Sequence, residues 1–100
     1  MKAWVKTEKD IAKILNGKRI ERKSYGDSEP DVITERFVVE CKSRKNGFPK
    51  LIEKAFEQVQ AYAKRYNKIP IVVLHRNGKR GYGRYFVVME INDFKEVIDV

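Results

Sequence analysis

The chain has 100 residues, enough for one modest core and too few for a catalytic domain beside a separate recognition domain, so a single domain over residues 1–100 is expected. Lysine and arginine total 22 against 14 acids, a net charge of +8 that favours a polyanionic partner, nucleic acid foremost, with a charged solubilising surface of the heat-adapted kind as the competing reading. No apolar run approaches the ~18 residues of a membrane span, no secretory signal opens the chain, and a lone Cys41 beside a lone His75 is too little for structural zinc; a cytoplasmic protein with no membrane partner, no zinc and no organic cofactor is expected.

Thr7 followed by Asp10 suits the start of a helix, Ile11, Ile14 and Leu15 supply its apolar stripe, and Gly17 ends it, which predicts a helix over residues 8–16. Residues 18–23 are short and extended in character, and Tyr25-Gly26-Asp27-Ser28-Glu29-Pro30 is a loop of turn formers. The β-branched and aromatic stretches 31–34 and 36–42 predict two strands in a tight hairpin turning near Glu35. Lys45-Asn46-Gly47 breaks that pattern. Pro49 then suits a first helical turn, and Ile52, Ala55, Phe56, Val59, Ala63 and Tyr66 recur at helical spacing, which predicts a second helix over 49–66.

The apolar run Pro70-Ile71-Val72-Val73-Leu74 predicts a strand buried on both faces, reached by a parallel crossover and central in its sheet. A glycine-rich basic loop over 76–84 leads to a last strand over 85–89, and Asn92-Asp93 can cap a short terminal helix through Ile98. The fold class expected is α/β, a mixed central sheet flanked by helices in the order α-β-β-β-α-β-β.

Glu40 and Lys42 stand two apart on a strand, so both project from one face while Cys41 points to the other. Asp31 opens the neighbouring strand, from which its carboxylate can reach Glu40 across the hairpin. Two converging carboxylates suit a hard cation, Mg²⁺ or Mn²⁺ in its place, which keeps several waters and bridges to phosphate oxygens. Lys42 would orient the nucleophile or neutralise charge developing on a scissile phosphate. The competing reading is a solvated strand face, which explains most isolated Glu-X-Lys triplets. Here the acid closes an apolar strand, where a charge needs a reason.

Pro30-Asp31 and Glu40-Cys41-Lys42 at this spacing resemble the PD-(D/E)XK nuclease superfamily. Across nearly the whole chain, Thr7-Glu8, Gly17-Lys18-Arg19, Pro30-Asp31-Val32, Val39-Glu40-Cys41-Lys42, Val73-Leu74-His75 and Asp93-Phe94 resemble the small resolvase-like nucleases of archaea and phages, including archaeal Holliday junction resolvases. The resemblance implies a restriction-endonuclease-like fold and Mg²⁺-dependent hydrolysis of DNA phosphodiesters. It also implies branched DNA as substrate and a homodimer, since a two-fold pair of sites suits a four-way junction. Asp31, Glu40 and the Cys41 backbone carbonyl would be metal ligands, Lys42 the activating cation and Glu8 an outer ligand. For Glu8 the alternative is an acid favoured at a helix N-terminus.

Gln58-Val59-Gln60-Ala61-Tyr62 resembles the helix motif of the RecB-like branch, in which the Gln helps to position the site. The alternative makes Gln58 a boundary residue and Tyr62 a core aromatic. DNA phosphates would be met by Lys18, Arg19, Lys23, Ser24, Arg44, Lys45, Arg76, Lys79, Arg80 and Arg84. His75 is either a satisfied core histidine or a phosphate contact and proton carrier. Asp27 and Glu29 make the loop before Asp31 unusually acidic for a resolvase. The rivals are a flap, single-strand or duplex nuclease with the same chemistry and, from another class, a non-catalytic DNA-binding protein.

Overall fold

A computed structural model describes residues 2–21 and 29–99; Lys23, Ser24 and Gly26 lie outside the described residues. The elements follow the expected order: α1 (Ala3–Ile14), β1 (Lys18–Arg19), β2 (Val32–Ile33), β3 (Val38–Val39), α2 (Lys50–Tyr66), β4 (Val72–His75), β5 (Tyr85–Val88) and α3 (Ile91–Ile98). The protein is thus a small α/β structure with two compact units, Met1–Lys45 with Ile98–Val100, and Asn46–Val97.

In the first unit α1 begins at Ala3 and not near Glu8. Thr7 is not its cap. The Thr7 hydroxyl donates to the Ala3 carbonyl at 3.1 Å, one turn back, and Lys2 holds the N-cap position without a side-chain bond. No glycine or proline interrupts Lys2 to Lys6, so the helix propagates past the capping residue that its sequence offers. At the other end Asn16 takes the left-handed conformation, φ +54°. The Gly17 amide returns to the Ala12 carbonyl at 2.7 Å and the Asn16 amide to Lys13 at 3.3 Å, the paired bonds of a Schellman ending. Gly17 is required for a different reason: a Cβ there would stand 2.7 Å from the Ile33 carbonyl oxygen and 2.8 Å from Thr34 Cγ2.

That close approach packs α1 on β1 and β2. Glu8, Ala12 and Leu15, spaced i, i+4, i+7, share the buried face, and Val32 is fully enclosed. Burying such a valine stabilises by about 1.5–3 kcal/mol. β2 lies between β1 and β3, antiparallel to both, with Arg19 opposite Val32 and Val32 opposite Val39. The hairpin turns at Glu35 as expected. Thr34 closes it, its amide donating to the Phe37 carbonyl at 2.8 Å while its hydroxyl accepts the Arg36 and Phe37 amides. The ladder of β3 stops at Val39, short of the Lys42 that the pattern predicted.

In the second unit Pro49 sits just outside α2, at its N-cap, and Asn67 at φ +55° ends the helix. α2 packs on β4, and β4 pairs antiparallel with β5, Leu74 opposite Phe86 and His75 opposite Tyr85. The expectation of one mixed sheet with a central, doubly buried strand is corrected here. Among the described residues the strands form two antiparallel sheets, and β4 pairs with β5 alone. Val72 and Leu74 are half-buried while Val73 and His75 are exposed. A continuous apolar run is therefore compatible with one covered face, and the sequence has no signal separating the two cases. α3 is capped by Glu90 and not by Asn92-Asp93: the Glu90 carboxylate accepts the Asn92 amide at 2.8 Å and its side-chain nitrogen at 3.0 Å. Among the described residues no helix is long and apolar enough to cross a membrane.

Candidate active site

Asp31 is tied into the first unit through its backbone and its side chain. Its amide donates to the Val39 carbonyl at 3.0 Å, and its carbonyl accepts the Ile20 amide at 3.0 Å, so both flanking strands fix its position. Its carboxylate accepts the Cys41 amide at 2.7 Å, which takes over where the ladder of β3 has ended. Asp31 is 3% exposed. A hydrogen bond to a buried carboxylate of this kind stabilises by about 1.5–3 kcal/mol and fixes the Glu40-Cys41-Lys42 segment beside the acid.

Glu8 is likewise buried, on the α1 face that carries Ala12 and Leu15. The helix begins five residues before it, which removes the N-terminal dipole as its explanation. Its carboxylate instead receives the Arg19 Nε from β1 at 2.9 Å. Arg19 also stands 4.0 Å from Glu21 and lies over the Trp4 ring at 5.9 Å. Arg19, expected among the phosphate contacts, is mostly buried and turned toward an acid.

Glu40 and Lys42 project to the same side, with Lys42 Nζ 3.5 Å from Glu40 Oε2. Both side chains are more than half exposed, so the pair contributes no more than about 0.5 kcal/mol to stability and is open to a ligand. Between them the Cys41 thiol reports the local field. Burial pushes it up, and the carboxylates of Asp31, Glu8 and Glu40 push it further, in that order. Three acids from a helix, a strand start and a strand end therefore act on one point.

The chemistry of these donors fits a hard divalent cation: carboxylate oxygens of Asp31 and Glu40, and the backbone carbonyl of Cys41, the residue after Glu40. The negative field at Cys41 is the kind that a cation offsets. Among the described residues no group of three or more His, Cys, Asp and Glu side chains stands at metal-ligand spacing.

Of the other expected residues in this unit, Lys18, Arg44 and Lys45 are exposed. In the second unit Gln58 is exposed on α2, and Tyr62 is 49% exposed with Arg65 over its ring at 5.8 Å, so Tyr62 is not a core aromatic. His75 is no core histidine either: it is exposed and stacks on Tyr85 at 5.2 Å. His75, Gly78, Lys79, Arg80 and Arg84 line one concavity, and Arg76 is exposed at the neck of the loop.

Two roles escaped the sequence. Arg19 as the counter-charge of Glu8 is eleven residues away, a separation that becomes a contact only once the tight turn at Gly17 folds β1 back along α1. Tyr82 is wholly exposed at the loop. Its signal was an aromatic residue between two glycines inside a basic stretch. Comparison with known proteins finds no family model, no curated protein and no solved structure that matches the chain.

Proposed function

We propose that the chain is a divalent-metal-dependent DNA endonuclease of the PD-(D/E)XK type, resolvase-like, acting on branched DNA as a homodimer. One observation carries this reading: two carboxylates, Asp31 and Glu8, are buried, and together with Glu40 they act on a single thiol. Burying carboxylates is costly, so two of them within one small unit need a reason.

In this reading Asp31 and Glu40 would hold Mg²⁺, or Mn²⁺ in its place, through carboxylate oxygens and Cys41 through its backbone carbonyl. Bound there, such an ion would supply Lewis-acid chemistry at the scissile phosphate. The chain's residues do the rest. Asp31, fixed by hydrogen bonds through its backbone and its carboxylate, resists displacement when charge builds at the phosphate. Lys42 donates to the attacking water or to a phosphate oxygen, neutralising charge that grows in the transition state. Glu8 lies behind as an outer acid, with Arg19 holding its carboxylate in place. Binding by phosphate contacts from Lys18, Arg44 and Lys45 is sequence-independent, which suits selection by DNA shape.

The test offers four-way junctions, flaps, single strands and plain duplex in Mg²⁺ and in EDTA. Symmetric paired nicks on the junction, in Mg²⁺ only, are expected of a two-fold dimer. Cutting confined to flaps or single strands would keep the chemistry and reassign the substrate. Binding without cutting in either condition would leave a DNA-binding protein and overturn the proposal.

A further inference from the structure

The loop joining β4 to β5 is built as a rigid basic cup. Its neck is closed by the Arg76 amide on the Arg84 carbonyl at 2.9 Å, and inside it the Lys79 amide meets the Arg76 carbonyl and the Arg84 amide meets the Gly81 carbonyl, both at 3.3 Å. Gly81 and Gly83, at φ +72° and +85°, turn the backbone on either side of Tyr82 in a region that side-chain-bearing residues resist. The cup has a volume of about 460 Å³ and is lined by His75, Gly78, Lys79, Arg80 and Arg84, three cations and an imidazole with no acid among them. Tyr85 orders two of these: His75 stacks on its ring, and the Arg84 guanidinium lies 5.1 Å from its centroid.

Tyr82 is 100% exposed. A phenol ring that covers no surface contributes nothing to this unit's packing, and it stands in the same nine-residue loop as the cations. A base in a duplex already has both faces covered, whereas an unpaired base offers a free face to an aromatic ring while its flanking phosphates seek cations. We infer that the β4–β5 loop is a binding site for unpaired DNA, in which Tyr82 stacks on an exposed base and Lys79, Arg80 and Arg84 hold the adjoining phosphates in the cup. The inference rests on the proposed reading in taking DNA as the partner. It extends that reading by naming the feature of a branched substrate, its unstacked nucleotides, that this loop selects.

The experiment is metal-free binding of the full chain in EDTA to a single-stranded oligonucleotide and to a blunt duplex of the same sequence, each carrying 2-aminopurine. Anisotropy gives affinity and 2-aminopurine fluorescence reports stacking. Tyr82→Ala is expected to lower single-strand affinity by about tenfold, to change duplex affinity less than about twofold and to abolish single-strand quenching. Tyr82→Trp restores the quenching. Lys79→Ala and Arg84→Ala weaken both substrates and flatten the dependence on salt. Equal effects of Tyr82→Ala on both substrates, no effect on either, or no binding of single strands by the unaltered chain would overturn the inference. Because the assay contains no metal, failure of Mg²⁺-dependent cutting would count against the cleavage reading alone.

Discussion

The Asp31 carboxylate accepts the Cys41 amide at 2.7 Å, joining the start of one strand to the end of the next through a side chain where the backbone ladder has stopped. That bond fixes the Cys41 backbone beside the acid, and the carboxylates of Asp31, Glu8 and Glu40 disfavour the anion of the Cys41 thiol. Since burial and these acids raise the thiol, its thiolate is scarcer at pH 8 than that of an ordinary cysteine, and alkylation by iodoacetamide begins at higher pH. Removing a negative neighbour works in the opposite direction. Asp31→Asn and Glu40→Gln are each expected to move the alkylation profile to lower pH. An identical profile in both variants and the parent would show that the acids do not meet at Cys41.

The Glu8 to Arg19 pair sets a stability prediction. Both side chains are largely withdrawn from water, at 8% and 17% exposure, so Arg19→Ala strands a carboxylate in a site built for an ion pair. The expected loss is about 3 kcal/mol in urea unfolding. The double variant Arg19→Met with Glu8→Leu should recover most of it, because replacing both charges by apolar groups leaves nothing unpaired. A loss below about 0.5 kcal/mol in Arg19→Ala would match an exposed pair and contradict the burial.

Gly17 answers to contact and not to conformation. Its Cβ would press on the Ile33 carbonyl and Thr34, a backbone atom and a hairpin residue with little room to move. Gly17→Ala is expected to cost about 1–3 kcal/mol as α1 is forced off β2. Asn16→Gly, where the left-handed conformation lies, should instead be neutral or mildly stabilising. Equal effects at the two positions would argue against the close approach.

The hairpin over Asp31 to Lys42 was legible because two β-branched runs lie one residue apart, which leaves a tight turn as their only connection. The facing of Glu40 and Lys42 was expected from strand alternation, and it holds although the ladder of β3 ends at Val39. Their 3.5 Å separation was to be expected once the segment is extended. The second helix was readable from a stripe repeated over four turns. What could not be read was pairing. Nothing in Pro70 to Leu74 distinguishes a strand covered on one face from one covered on two, and the partner of a strand is not encoded in its own residues. The start of α1 was hidden for another reason: Thr7 looks like a cap, yet a threonine inside a helix can bond back to the carbonyl four residues earlier, as it does to Ala3. The burial of Glu8 was half visible, since it precedes Ile11 and Leu15 at helical spacing. The arginine that answers it was not, because that contact spans a turn.

The account depends most on Glu40 and Lys42 acting on a metal-assisted cleavage that binding alone does not need. The direct measurement is the rate of Mg²⁺-dependent cutting of a four-way junction by the parent, Glu40→Gln and Lys42→Ala, beside their junction affinity in EDTA. Each variant is predicted to cut at least about a hundredfold more slowly. Glu40→Gln should bind as tightly as the parent or more so, having lost a negative charge, and Lys42→Ala only slightly less tightly. Variants that cut at the parental rate would contradict the account and return both residues to an ordinary solvated strand end.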